Sequence, residues 1–280
     1  MFDRAQDIFN YLPIEQGSES RYIKQLWDSF FVLSTAEDDV PYFSIMPFHL
    51  LFMLAIQYKA YRLSAWNKDY YLNWVNTNKY LIYNNECKQQ LLCNIPLNKA
   101  SLWDINQSSV KTMSLVKEKH IFSLFSLIGV GDDLMLKAKA LVENRNDRFH
   151  ANGEIDEKAE EKIDDYLEVL ECIQEKFKEV GVNQDIQGDW SQDIEEGVYP
   201  LDEFFEEKFL YSQFSQKDFS DIIKPLIISD NLDFDQWKAV IDKCLELASE
   251  ETIRCLKNQV TIEVDEDKRF NIEEIIKENT

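Results

Sequence analysis

"DDLMLKAKALVENRNDRFHANG", residues 132–153, runs directly into "EIDEKAEEKIDDYLEVLECIQEKFKEVG", residues 154–181. The first stretch opens on Asp132 and Asp133, suited to the start of a helix, and closes at Gly153. At about 100° per residue, Leu134, Ala138, Leu141, Val142 and Phe149 fall on one apolar stripe. The second stretch places Ile163, Tyr166, Leu167, Leu170, Ile173 and Phe177 on a stripe of its own, the mark of a long amphipathic helix. Arg145 interrupts the first stripe in its middle. A permanent charge there is costly unless it is paired or opens onto a polar cleft or a partner's surface. A buried ion pair with Glu143 or with a carboxylate of another helix meets that requirement, and so does a functional anion.

Helical spacing continues upstream. "SESRYIKQLWDSFFVL", residues 18–33, starts on a cap-type serine and repeats apolar residues at helical intervals. A second helix is predicted over residues 47–66. "DYYLNWVNTNKYLIYNNECKQQLLCNI", residues 69–95, suits helices better than short strands, and "SSVKTMSLVKEKHIFSLFSLIG", residues 108–129, has a serine start and a glycine stop. Beyond Pro200, residues 201–214, 218–228 and 233–258 are again helical in pattern, with a short strand at "VTIEV", residues 260–264. The fold class is all-α, a helical bundle with an additional acidic, mainly helical C-terminal region. Gly181, Gly188 and Gly197 followed by Pro200 mark the division, giving a helical domain over residues 1–180 and a second region over residues 181–280.

Charge divides earlier, after residue 150. Of 30 basic and 52 acidic residues, residues 1–150 hold 16 of each, so the whole net charge of −22 lies further on. The composition, 45% hydrophobic with seven glycines and six prolines, is that of a folded chain. The N-terminus lacks the apolar core and cleavage site of a signal peptide. The most apolar run, residues 44–61, contains Pro47 and His49 and is too short to span a bilayer. A cytoplasmic protein without membrane contact is expected.

Cys87, Cys93, Cys172, Cys244 and Cys255 form no CxxC pair and read as reduced thiols. Phosphate-binding glycine loops, HExxH and GxSxG are absent. The acidic pairs Glu195–Glu196 and Glu206–Glu207 read as solvated surface, so neither a metal nor another cofactor is expected. His49 and His120, set beside apolar residues, read as core or surface histidines.

His150 stands apart from those two. On a regular helix it lies roughly 140° from Arg145, so the two converge only if the helix ends between them or a second copy completes the site. Asn146, four residues before His150, shares its face and can orient the imidazole. "RNDRFH" resembles the R-N-x-x-x-H form of the arginine-x(4-6)-histidine motif of the HEPN superfamily. There the motif lies near a helix end in a small bundle and is often followed by a small residue, a glycine and a long closing helix, as in "HANGEIDEKAEEKIDDYLEVLECIQEKF". Ala151 departs from the glycine usual directly after the histidine. The resemblance spans residues 45–180.

The resemblance implies a metal-independent endoribonuclease of the toxin–antitoxin or antiphage-defence kind. RNA carries a 2′-hydroxyl that a near-neutral histidine can deprotonate, or the same histidine can protonate the leaving 5′-oxygen. Arginine keeps its proton and suits a developing phosphorane. Arg145, His150 and Asn146 are therefore the catalytic candidates, with Lys137, Lys139 and Arg148 as flanking phosphate contacts. The products expected are a 2′,3′-cyclic phosphate and a 5′-hydroxyl. The implied partners are an RNA substrate, a second copy of the chain in a symmetric homodimer with a composite site, and a cognate inhibitor or antitoxin protein. Two other readings stay open: a catalytically silent bundle of this type that binds a partner protein, and an unrelated helical scaffold in which Arg145 is simply ion-paired. Residues 181–280 either mask the site electrostatically or serve as a solubilising appendage.

Overall fold

The computed structural model describes residues 4–13, 17–36, 43–66, 118–149 and 159–182, together with 215, 217, 218 and 221. The predictions for residues 69–95, 201–214 and 233–258, the strand at 260–264 and Cys87, Cys93, Cys244 and Cys255 lie outside the described residues. Among the described residues the architecture is all-α, with no strand. A 3₁₀ turn over Ala5–Tyr11 precedes α1 (Gly17–Ser34), α2 (Ile45–Trp66), α3 (Glu118–Ile121), a 3₁₀ segment (Phe122–Ile128), α4 (Asp132–Phe149) and α5 (Ala159–Val180). No helix among them is long and apolar enough to cross a membrane.

The chain divides into two compact units, one of Met1–Ile8 with Arg21–Lys176 and one of Phe9–Ser20 with Phe177–Thr280. In the first unit, α2 is the helix about which the others are built, because its sequence is apolar around most of its circumference and a helix of that kind must be enclosed, its His49, Lys59 and Arg62 included. Phe48, Leu51, Phe52, Ala55, Ile56 and Ala60 are all fully buried. α5 is amphipathic, and it buries Ile163, Tyr166, Leu167, Leu170 and Ile173 while leaving Asp164, Glu168 and Glu175 exposed. Aromatic rings join these helices: Phe30 of α1 meets Phe48 at 5.2 Å, and Phe52 meets Tyr166 of α5 at 4.7 Å and stacks on Phe122 at 6.1 Å.

The stretch predicted as one helix over residues 108–129 changes its winding at Phe122. Its composition explains why. In "IFSLFSLI", residues 121–128, apolar and serine positions repeat every three residues: Phe122, Phe125 and Ile128 are buried, as are Ile121 and Leu124, while Ser126 is exposed. A period of three fits a 3₁₀ helix, whose side chains eclipse at i and i+3, better than the 3.6 of an α-helix. The Ser126 hydroxyl donates to the Ser123 carbonyl at 2.8 Å and follows the same spacing.

Two helix ends use the same device. At Gly129, with φ 77°, the Gly129 N–H donates to Ser126 O and the Val130 N–H to Phe125 O. At Gly181, with φ 76°, the Gly181 N–H donates to Lys178 O and the Val182 N–H to Phe177 O. Both are Schellman closures that need a left-handed residue, which glycine supplies without steric cost. In the second unit, Ser215 and Asp218 exchange reciprocal hydrogen bonds in the manner of a capping box, and Lys178 pairs with Asp221 at 3.0 Å.

The aromatic layer is the part of the first unit most exposed to cavity formation. Phe52→Ala should lower the unfolding free energy by about 3–5 kcal/mol, read from urea denaturation; a loss below about 1 kcal/mol would mean that the layer collapses around the gap.

Candidate functional site

Of the predicted stripe on α4, Ala138, Leu141 and Val142 are buried and Leu134 is half-buried, with Met135 buried in addition; the Phe149 side chain lies outside the described residues. Arg145 continues that stripe one turn on, and its side chain is 16% exposed. The first turn of α3 lies against this end of α4 and brings Glu118 to the guanidinium. Arg145 Nη2 donates to Glu118 Oε2. The partner is thus a carboxylate of another helix. Glu143, the neighbour on α4 itself, instead takes Lys119 at 3.2 Å.

The same Glu118 oxygen faces a second group. His49, on α2, is wholly buried, and its Nε2 lies 3.5 Å from Glu118 Oε2. Its other ring nitrogen, Nδ1, is 3.0 Å from the hydroxyl of Tyr166 on α5. The tautomer follows from charge. A lone pair on Nε2 would face a carboxylate, so Nε2 carries the proton and Nδ1 accepts from the Tyr166 hydroxyl. Four helices therefore contribute one residue each to a row running outward from the core: Tyr166, His49, Glu118 and Arg145. Ring contacts seat the imidazole, with Tyr166 at 5.6 Å edge-on and Phe52 at 6.2 Å.

Burial holds His49 below the ordinary histidine value; the contact with Glu118 opposes this and the Arg145 charge reinforces it. Glu118 is held below the usual carboxylate range, foremost by His49 and further by Arg145, against the opposing effect of burial. At neutral pH the row therefore contains one cation, one anion and a neutral imidazole, which leaves no uncompensated charge in a poorly solvated place. Arg145 Nε is buried and has no hydrogen-bond partner among the described residues.

Of the remaining sequence candidates, two have described side chains. Lys137 turns to α5 and pairs with Asp165 at 2.9 Å and Glu168 at 2.7 Å, partners that compete with any phosphate. Lys139 is half-buried on α4. Asn146 and Arg148 lie in the last turn of α4, whose final residue is Phe149; His150 comes next and lies outside the described residues. His120 belongs to α3. Glu118, His49 and Tyr166 join Arg145 without belonging to any motif in the sequence. The signal available for His49 was a polar ring within the most apolar run of the chain, a position that demands partners. Among the described residues no group of three or more His, Cys, Asp or Glu side chains is arranged to hold a metal. The chain matches no known protein family, no curated protein and no solved structure.

The two shifted groups give a pH dependence of definite sign. With His49 lowered in the folded state, the unfolded chain takes up a proton that the buried ring refuses, so stability falls as pH drops below the ordinary value of 6.5. Glu118, also lowered, stabilises the fold above the ordinary value of 4.5 and loses that contribution as pH falls further. His49→Gln, which cannot titrate, should flatten the first decline and, because His49 is the foremost cause of the lowered Glu118, leave a smaller second one when unfolding free energy is measured from about pH 4 to 8. An unaltered slope near pH 6 in that variant would assign the decline to another group.

Proposed function

We propose that this chain is a metal-independent endoribonuclease in which Arg145 and His150 act on RNA, as its resemblance to the HEPN superfamily implies. The observation that carries the reading is the state of Arg145. A guanidinium has five donors in a planar fork, and among the described residues a single carboxylate oxygen engages this one. It is held from one side at the end of α4, five residues before a histidine, where a phosphate can take the donors that Glu118 leaves. In this reading His150 moves protons at the 2′-hydroxyl or the leaving 5′-oxygen, and Arg145 offsets charge on the phosphorane. Asn146 orients His150, and Lys139 and Arg148 meet flanking phosphates. Lys137, already paired with two carboxylates, contributes less than the others.

The experiment is incubation of purified protein with a mixed single-stranded RNA, with and without a chelator. Cleavage should leave 2′,3′-cyclic phosphate ends and be indifferent to the chelator. Arg145→Ala and His150→Ala should each reduce it by at least about 100-fold without loss of helical circular dichroism. Cleavage that requires added divalent metal, or none by the wild type, would sink the proposal.

One observation favours a second reading, a silent helical module that binds a partner protein. The Glu118–Arg145 pair gives a largely buried cation its counter-charge, as a scaffold requires. That reading expects Arg145→Ala and Glu118→Ala to destabilise the fold non-additively. In a double-mutant cycle by urea denaturation, a coupling of about 1–3 kcal/mol together with absent cleavage would favour it. Coupling below about 0.5 kcal/mol would remove its basis.

A further inference from the structure

The endoribonuclease reading names Arg145 but gives no account of what aims it, and the row behind it supplies one. Glu118 belongs to a four-residue helical segment, and on its own its side chain has several rotamers available. Two groups restrict it. Arg145 Nη2 donates to Oε2 from the α4 side, and His49 Nε2 faces the same oxygen at 3.5 Å from the α2 side. His49 cannot turn away, because its Nδ1 is tied to the Tyr166 hydroxyl at 3.0 Å and its ring is packed between Phe52 and Tyr166 with no exposure. Tyr166 is in turn fixed among Phe48 and Phe52. The rigidity of the aromatic layer is therefore passed outward through two polar contacts to one carboxylate oxygen, and from there to the guanidinium.

We infer that Glu118, seated by His49 and Tyr166, sets the orientation of the Arg145 guanidinium, so that these three are positioning residues for the anion-binding group of the site. The inference rests on the reading that Arg145 meets a phosphate of the substrate. Glu118 itself does not touch RNA in this scheme. It takes Nη2 on one side of the guanidinium, whose Nε is buried, and so fixes the plane of the fork. The neutral state of His49 matters here: a second cation beside Glu118 would compete with Arg145 for the same oxygen, whereas a neutral ring set 3.5 Å from that oxygen, without a hydrogen bond to it, bounds the carboxylate and leaves its partner in place.

A pair of conservative replacements separates positioning from bulk. His49→Gln keeps an N–H near the place of Nε2, whereas His49→Leu keeps the volume and removes it. Glu118→Gln keeps the shape and removes the charge. The expected result is a fall in kcat of about 10- to 100-fold for Glu118→Gln and for His49→Leu, with KM changed less than threefold, and recovery toward wild type in His49→Gln. Side-chain NMR of the full chain provides a readout that does not need activity. The Arg145 guanidinium, assigned by its disappearance in Arg145→Lys, should show separate, slowly rotating Nη signals in wild type and His49→Gln, and averaged signals in Glu118→Gln and His49→Leu. Separate signals that persist in Glu118→Gln, or averaged signals in the wild type, overturn the inference whatever the cleavage data show. Wild-type protein that cuts no RNA but displays the expected pattern of signals upholds the orienting role and removes the ribonuclease reading instead. If both His49 variants lose stability equally while cleavage and signals stay as in wild type, His49 is a packing residue and the inference fails.

Discussion

A guanidinium set into the apolar face of a helix must find an anion, and the position of Glu118 against Arg145 is the contact on which the arrangement of this end of the bundle turns. Leaving either partner alone would place an unpaired charge where water reaches poorly, a penalty of several kcal/mol in the general case. The pairing therefore constrains more than two side chains. It requires the first turn of α3 to lie beside the last turns of α4, and it requires whatever packs behind Glu118 to tolerate a carboxylate.

What packs behind it is His49, near the start of a helix that is apolar over most of its surface. An imidazole there is tolerable because Nδ1 is hydrogen-bonded to the Tyr166 hydroxyl and Nε2, which makes no hydrogen bond among the described residues, faces the Glu118 carboxylate at 3.5 Å. The cost of burying a polar ring is offset by partners on two different helices, and the same partners fix the ring's tautomer. The row from Tyr166 to Arg145 is thus a path by which the closely packed aromatic layer determines the geometry of a group near the surface. α2 holds a comparable feature further along, where buried Lys59 donates to Gln174 of α5.

The acidic surface of α5 bears on the functional reading. Asp165 and Glu168 draw Lys137 of α4 toward α5, which spends a cation that the sequence offers as a phosphate contact. Exposed pairs of this kind add little to stability, yet they redirect a side chain. Arg145 differs from Lys137 in that its pairing leaves it largely buried, and this difference is what sets it apart from a solvated helix face.

Much of the helical framework was legible in the residues alone, because periodicity and end signals are local. The spans of α1, α2, α4 and α5 follow from apolar spacing, and the stops at Gly129 and Gly181 follow from the one residue that adopts positive φ freely. Arg145 could be singled out as a misfit because a charge within a stripe is visible without coordinates. The repeat of three in residues 121–128 was also present in the sequence, but its effect depended on the core against which those side chains were buried. Only the tertiary structure decided which carboxylate answers Arg145, since Glu118 is 27 residues away and Glu143 is on the same helix. Only it joined His49 to Tyr166 across 117 residues. Pairing between distant polar groups has no period to read: it depends on how helices dock, and docking is set by the summed packing of many side chains rather than by any short run of them.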